Sequence, residues 1–143
     1  MSWAGGPWVA DTSAWARAQE PAVAERWIAA ARAGELVACP IITLELLHDA
    51  RNRDEVEGVS AALAALRQAP VTRSVTDTVI SAVRDLANAG ADGHHRVPTA
   101  DALIAAAAAE RGFGVLHYDH DFDRLAQVLA FTSQWIAPAG SVD

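Results

Sequence analysis

The chain has 143 residues, 52% of them hydrophobic and 20% charged, which is enough for one buried core and excludes a disordered chain. All 11 basic residues are arginines, so phosphate-binding loops, Schiff-base amines and receiver-type phosphoacceptor sites, which need a lysine, are excluded. With 18 acidic residues the net charge is −7, and an acidic chain binds nucleic acid poorly unless a local site or a metal provides the contact.

The sequence carries no signal for export or for insertion into a membrane. Its longest uncharged apolar stretch, 102–109, is too short to cross a bilayer. The first six residues lack a basic region followed by an apolar one. The single cysteine, Cys39, cannot form an internal disulfide. We therefore expect a cytoplasmic protein with no membrane association.

Apolar periodicity and turn residues predict strands that alternate with helices. In chain order they predict a strand at 8–10, a helix over 21–34, a strand at 36–39, helices over 41–50 and 54–68, a short strand near 71, a helix over 76–89, a polar loop at 91–97, an Ala-rich helix over 99–112 capped by Thr99, a strand at 115–118, a helix over 122–129 and a last strand at 135–136. Such an order predicts an α/β layer structure with a mainly parallel sheet, in one domain over 1–143.

Acidic residues flank the predicted strand ends, where ligands collect in parallel sheets. The candidates are Asp11, Glu45, Asp101, Asp119 and Asp121. If the sheet is wound as expected, these side chains converge at one edge. Several close carboxylates repel one another, and a divalent cation relieves that repulsion. Ligand sets made of oxygen favour Mg²⁺ or Mn²⁺.

Taken singly, each acid also has a structural explanation. Asp101 suits a helix N-terminus, where its charge interacts favourably with the dipole. Asp121 could cap the following helix, and Glu45 could lie on a solvated face with Asp49 and Arg53. Their joint placement at strand ends favours a site.

Other polar residues near these acids are weaker candidates. Thr12 and Ser13 could bind a metal-bound water or orient Asp11, and they could equally be turn residues or N-caps. His117 and His120 are most simply packed or solvated, and Asp123 is interpreted only as part of a first helical turn. His94 and His95 complete no zinc pattern.

Four segments resemble, in order and spacing, the motifs of the PIN-domain nucleases, and most of all the VapC toxins of bacterial toxin–antitoxin pairs. They are DTSA at 11–14, ITLELL at 42–47, PTADALIA at 98–105 and LHYDHDFDRL at 116–125, and the likeness extends to QWIAP at 134–138. About seven residues precede the first strand, where the family usually has few, so we expect that segment to be flexible.

The resemblance implies a three-layer α/β/α sandwich around a parallel five-stranded sheet. It also implies an endoribonuclease that uses Mg²⁺ or Mn²⁺, held by the acids matching Asp11, Glu45, Asp101 and Asp119, with Asp121 as a possible further acid. Such toxins form homodimers, act on RNA such as tRNA or rRNA, and are inhibited by a cognate VapB-like antitoxin, often through a basic segment.

The expected chemistry is hydrolysis by a metal-activated water in line with the leaving group, which yields a 5′-phosphate and a 3′-hydroxyl. Arg17, Arg51 and Arg53 are candidate phosphate contacts. Two alternatives stay open: a PIN-fold nuclease of RNA maturation or of DNA, and a catalytically silent binding module.

Overall fold

A computed structural model describes residues 3–143, and within them the chain alternates between short strands and helices. The strands are β1 (Trp8–Ala10), β2 (Leu36–Ala38), β3 (Arg67–Gln68), β4 (Gly114–His117) and β5 (Ser133–Trp135). The helices are α1 (Thr12–Trp15), α2 (Ala24–Arg32), α3 (Pro40–Asp49), α4 (Arg53–Ala64), α5 (Arg73–Ala89), α6 (Thr99–Arg111) and α7 (His120–Leu125).

The strands form one parallel sheet in the order β3-β2-β1-β4-β5. The sheet confirms the predicted fold class. Strand β1 is central, and the chain runs to β2 on one side and later to β4 on the other. The carboxyl ends of β1 and β4 are therefore neighbours, because Ala10 pairs with Leu116. This is the point at which parallel sheets place their ligands.

Alternating side chains of the central strands build a core on each face of the sheet. Val9, Val37 and Val115 belong to a cluster that also includes buried residues of α3, α5, α6 and α7. The residues before or after them, such as Trp8 and Leu116, belong to a second cluster with α1 and α2. This two-residue period is the reason for the three layers.

The Ala-rich helix α6 lies within the first core cluster. Six of its residues are buried, five of them alanines. A helix that is apolar on nearly all sides is packed on nearly all sides. Gly112 ends it in the left-handed conformation, with φ of 71°, and allows the chain to turn into β4.

The third strand lies earlier than predicted. We expected it near Val71 and expected the preceding helix to continue to Gln68, but α4 ends at Ala64 and β3 is Arg67–Gln68. Both side chains of β3 are exposed, so no apolar run marks the strand. Its position depends on pairing with β2 and on the Gln68 side-chain amide, which donates to two carbonyls at the end of α4.

Several element starts also differ from prediction. The polar residues after β1 form the short helix α1, and α2 begins at Ala24 because Pro21 lies in the preceding turn. Thr99 is the first residue of α6, and Pro98 occupies the N-cap position. The last helix begins at His120 because Asp119, and not Asp121, is its N-cap.

The segment before β1, which we expected to be flexible, packs against the domain from Trp3 onward. Trp3 is 1% exposed, and its carbonyl accepts a hydrogen bond from the Trp8 indole. The Arg26 guanidinium covers the Trp3 ring. The part of this prediction that concerns residues 1–2 lies outside the described residues. Among residues 3–143, no helix has the length and apolar character of a membrane span.

Candidate active site

Asp11 lies at the carboxyl end of β1 and caps α1. It is 4% exposed, and its Oδ2 accepts hydrogen bonds from the Ser13 amide at 3.1 Å and the Ser13 hydroxyl at 2.6 Å. The same hydroxyl oxygen accepts the Tyr118 amide N–H at 2.9 Å. Ser13 therefore orients Asp11 and joins the ends of β1 and β4.

Three carboxylates, those of Asp101, Asp119 and Asp121, lie closest together. One oxygen from each lies within 4.8 Å of the others. Asp101 comes from the first turn of α6, and the other two come from the start of α7. The Asp119 carboxylate accepts the Asp121 amide N–H at 2.9 Å, which fixes the two residues relative to each other.

Glu45, on α3, interacts electrostatically with Asp11 and Asp101. Its Oε1 is buried and has no hydrogen-bond partner among the described residues. Burial raises the pKa of Glu45, and the charges of Asp11 and Asp49 raise it further. Because α3 ends at Asp49 and Arg53 belongs to α4, a single solvated face shared by all three residues does not form.

The pKa of Asp101 is affected by all the other candidate acids. Burial, followed by the charges of Asp11, Asp119, Asp121 and Glu45, raises its pKa from 3.8 to about 7. The other four predicted acids therefore all act electrostatically on Asp101 at the edge of the sheet.

The residues present fit a divalent cation. The ligand atoms on offer are carboxylate oxygens, which hard cations such as Mg²⁺ and Mn²⁺ prefer. A buried carboxylate oxygen without a partner is costly, and the unpaired Oε1 of Glu45 would gain one from a cation.

The remaining candidate contacts lie around this cluster. Thr12 borders a cleft that it shares with Glu45 and Asp49. Arg17 donates from Nη1 to the Ser13 carbonyl at 2.9 Å, and its guanidinium lies 4.2 Å from the centre of the Tyr118 ring. Arg17 is thus held beside the site.

The other two candidate phosphate contacts lie in the turn after α3 and at the start of α4. Arg51 is exposed and pairs with Glu55 at 2.8 Å. Arg53 is exposed at the first turn of α4.

Sequence reasoning missed the contacts of Asp123 with β5, and it left open whether His117 is packed or solvated. Asp123 accepts hydrogen bonds from Ser133 and from the Trp135 indole, in addition to lying in the first turn of α7. His117 is fully buried. The strand period could have indicated this, because His117 is two residues after Val115 and faces the same core.

Comparisons with known proteins identify the family and the fold of the chain. A family model described as "PIN domain" matches residues 9–128. The chain belongs to the PIN-domain family. It is 36% identical over 132 residues to Ribonuclease VapC18 of Mycobacterium tuberculosis, covering 92% of this chain and 96% of that protein. It is 39% identical over 133 residues to Ribonuclease VapC51 of the same organism, covering 93% and 95%. Within the PIN domains, the chain therefore belongs to the VapC ribonucleases.

Two solved structures share the fold of this chain. The DNA-bound VapBC complex of Salmonella typhimurium aligns with a TM-score of 0.69 at 17% identity, over 91% of this chain and 98% of that one. The VapBC2 complex of Rickettsia felis, bound to a promoter DNA fragment, aligns with a TM-score of 0.67 at 12% identity, over 90% and 97%.

Proposed function

We propose that this VapC-family chain is a Mg²⁺- or Mn²⁺-dependent endoribonuclease that leaves a 5′-phosphate and a 3′-hydroxyl, and that it is the toxin of a toxin–antitoxin pair. The observation that carries the proposal is the meeting of five acids from four separate chain segments around Asp101. Relatives named ribonucleases over nearly their full length support RNA as the substrate.

The metal ligands that we propose are Asp11, Glu45, Asp101 and Asp119, with Asp121 joining them because it lies in the tightest group. A bound divalent cation would supply an activated water and neutralise charge on the phosphate. The protein residues align the carboxylates: Ser13 orients Asp11, and the start of α7 carries two acids at a fixed spacing.

The substrate contacts that we propose are Thr12, Ser13 and Arg17. Arg17 is the nearest candidate cation, because its side chain is fixed between the Ser13 carbonyl and the Tyr118 ring beside the acids. A chain with net charge −7 attracts RNA weakly on its own. Binding would therefore depend on the metal and on recognition of single-stranded or looped RNA.

The test is digestion of total RNA, with tRNA and rRNA followed separately, and mapping of the new 5′ ends. Cleavage should require Mg²⁺ or Mn²⁺, stop in EDTA, and create 5′ ends that a 5′-phosphate-dependent exonuclease degrades. Asp11→Asn and Asp101→Asn should each lose at least about 100-fold in rate, since even indirect partners of a metal site cost 10–100-fold.

The matched control is Asp85→Asn, which removes an exposed acid of α5 and should keep full activity. Cleavage that persists in EDTA, or 2′,3′-cyclic phosphate ends, would contradict the proposal. Binding of RNA without any cleavage would favour the catalytically silent module.

An acidic pocket suits a basic segment of a VapB-like antitoxin. We expect the antitoxin encoded beside this gene to copurify with the chain and to block cleavage in proportion to its amount. High salt should weaken the complex, because part of the attraction is between exposed charges.

We also propose that residues 1–143 form one domain that assembles as a homodimer. The continuous sheet and the two cores that cover its faces support one cooperative unit. Light scattering after size exclusion should give twice the chain mass, and thermal unfolding should show one transition.

A further inference from the structure

A chain of hydrogen bonds behind the carboxylates links β4, α7 and β5. The Asp119 amide N–H donates to His117 Nδ1 at 3.1 Å, and His117 Nε2 lies 2.6 Å from Ser133 Oγ. The Ser133 hydroxyl donates to one carboxylate oxygen of Asp123 at 2.7 Å, and the Trp135 indole N–H donates to the other at 2.9 Å. The chain ends at the backbone of an acid in the candidate active site.

The direction of each hydrogen bond is fixed by its neighbours. A backbone amide can only donate, so His117 Nδ1 must carry a lone pair and the proton must be on Nε2. That proton is donated to Ser133 Oγ, whose own proton is then donated to Asp123.

Movement of the Asp119 backbone would move two carboxylates together. The Asp119 side chain is bonded to the Asp121 amide, and both residues belong to the start of α7. Asp101 is on a different helix, so the distance from it to this pair depends on where α7 begins. His117 accepts the amide at that point.

We infer that His117 is a positioning residue for the metal site: its neutral imidazole fixes the Asp119 peptide, so that the Asp119 and Asp121 carboxylates stay within ligand distance of Asp101. The inference rests on the proposed function, because it assigns His117 a role towards the cation. Metal sites lose about 10–100-fold in affinity when such indirect partners are removed.

Two substitutions at His117 separate positioning from packing. His117→Phe keeps an aromatic ring between Phe122 and Trp135 but has no acceptor for the Asp119 amide. His117→Asn can accept that amide as an Asx turn, yet is too short to bond Ser133. The Asn variant therefore restores only the contact with Asp119.

The measurement is Mn²⁺ titration of the metal-free full chain, with free Mn²⁺ followed by electron paramagnetic resonance and the Tm measured in EDTA. His117→Phe should weaken the Mn²⁺ Kd by about 10-fold or more. His117→Asn should recover most of that affinity although its Tm stays below that of the unmodified chain. Ser133→Ala should weaken Mn²⁺ binding in the same direction but less, because His117 loses the acceptor that holds its tautomer.

The control for lost stability alone is Leu36→Ala, at the start of β2 and the opposite end of the sheet from the acids. It should lower the Tm and leave the Kd unchanged. An unchanged Kd in His117→Phe, or an Asn variant that binds as weakly as the Phe variant, overturns the inference. If both fail to fold, an unchanged Kd in Ser133→Ala overturns it. An unmodified chain that binds no Mn²⁺ overturns the proposed function itself.

Discussion

Asp11 and Asp101 lie in the same acidic site, but their surroundings affect the pKa values of their carboxyls differently. Burial raises the pKa of both carboxyls. For Asp11, hydrogen bonds from Ser13 and the backbone amides of α1 act in the opposite direction and favour the charged form. For Asp101, the four neighbouring carboxylates act in the same direction as burial.

This difference shows which of the two carboxylates the protein orients before a cation binds. The Asp11 side chain is oriented before any ligand arrives. Asp101 carries charge that the protein does not compensate, so a cation has the most to gain there. Preorganised ligands on one side and uncompensated charge on the other are what a tight oxygen-ligand site requires.

The largest effects are expected on removing Asp101 and, separately, Asp119, which is the N-cap of α7. Asp101→Ala and Asp119→Ala should both weaken Mn²⁺ binding by at least about 100-fold. In EDTA at pH 8, however, Asp101→Ala should raise the Tm, because it removes a negative charge that the neighbouring carboxylates repel. Asp119→Ala should lower it, because the N-cap of α7 is lost at a cost of about 1 kcal/mol. Calorimetry measures the stability of both variants. A lower Tm in both variants would contradict the expected difference between Asp101 and Asp119.

A pH titration of stability sharpens the same contrast. The pKa of Asp101 is about 7 in the folded chain, above its ordinary value of 3.8, so the folded state binds this proton more tightly than the unfolded state. That contribution to stability is complete below about pH 4 and is lost as the pH rises through 7. In EDTA the Tm should therefore fall from pH 5 to pH 8, and Mg²⁺ or Mn²⁺ should reduce the fall.

Asp101→Asn provides the control for this titration, because it keeps the other charges of the chain. Its Tm should depend on pH less steeply than that of the unmodified chain over the same interval. Equal slopes would mean that the general negative charge, and not Asp101, determines the pH dependence.

The smallest effect is expected on the preorganised side. Ser13→Ala removes the hydroxyl that bonds Asp11 and accepts the Tyr118 amide, so it should lower the free energy of unfolding by about 1–3 kcal/mol. Urea denaturation measures this change. Ser81→Ala, at an exposed position of α5, should change it little. A loss no greater than that control would show that Ser13 does not support the site.

Periodicity predicted the central part of the fold because burial there is nearly complete. Strands β1, β2 and β4 are short runs of buried residues, and their order with the helices indicated a parallel sheet. The edge strand β3 could not be predicted in the same way, because its two side chains are exposed and its position depends on contacts with β2 and the end of α4.

The sequence indicated which acids belong to the candidate site, but it did not indicate their relative positions. Strand ends indicated Asp11 and Asp119, and the family resemblance added an order to the motifs. The local pattern did not distinguish the two acids of α7, because either Asp119 or Asp121 could have been the cap. The partners of Asp123 lie on β5, ten and twelve residues away, and only the folded sheet brings them into contact.

The sheet order determines when the acidic site can assemble during synthesis of the chain. Strand β1 is synthesised well before its sheet neighbour β4, and the acids at the ends of these two strands meet only after β4 has inserted. A nascent chain therefore holds no assembled acidic site until β4 and the start of α7 have been translated.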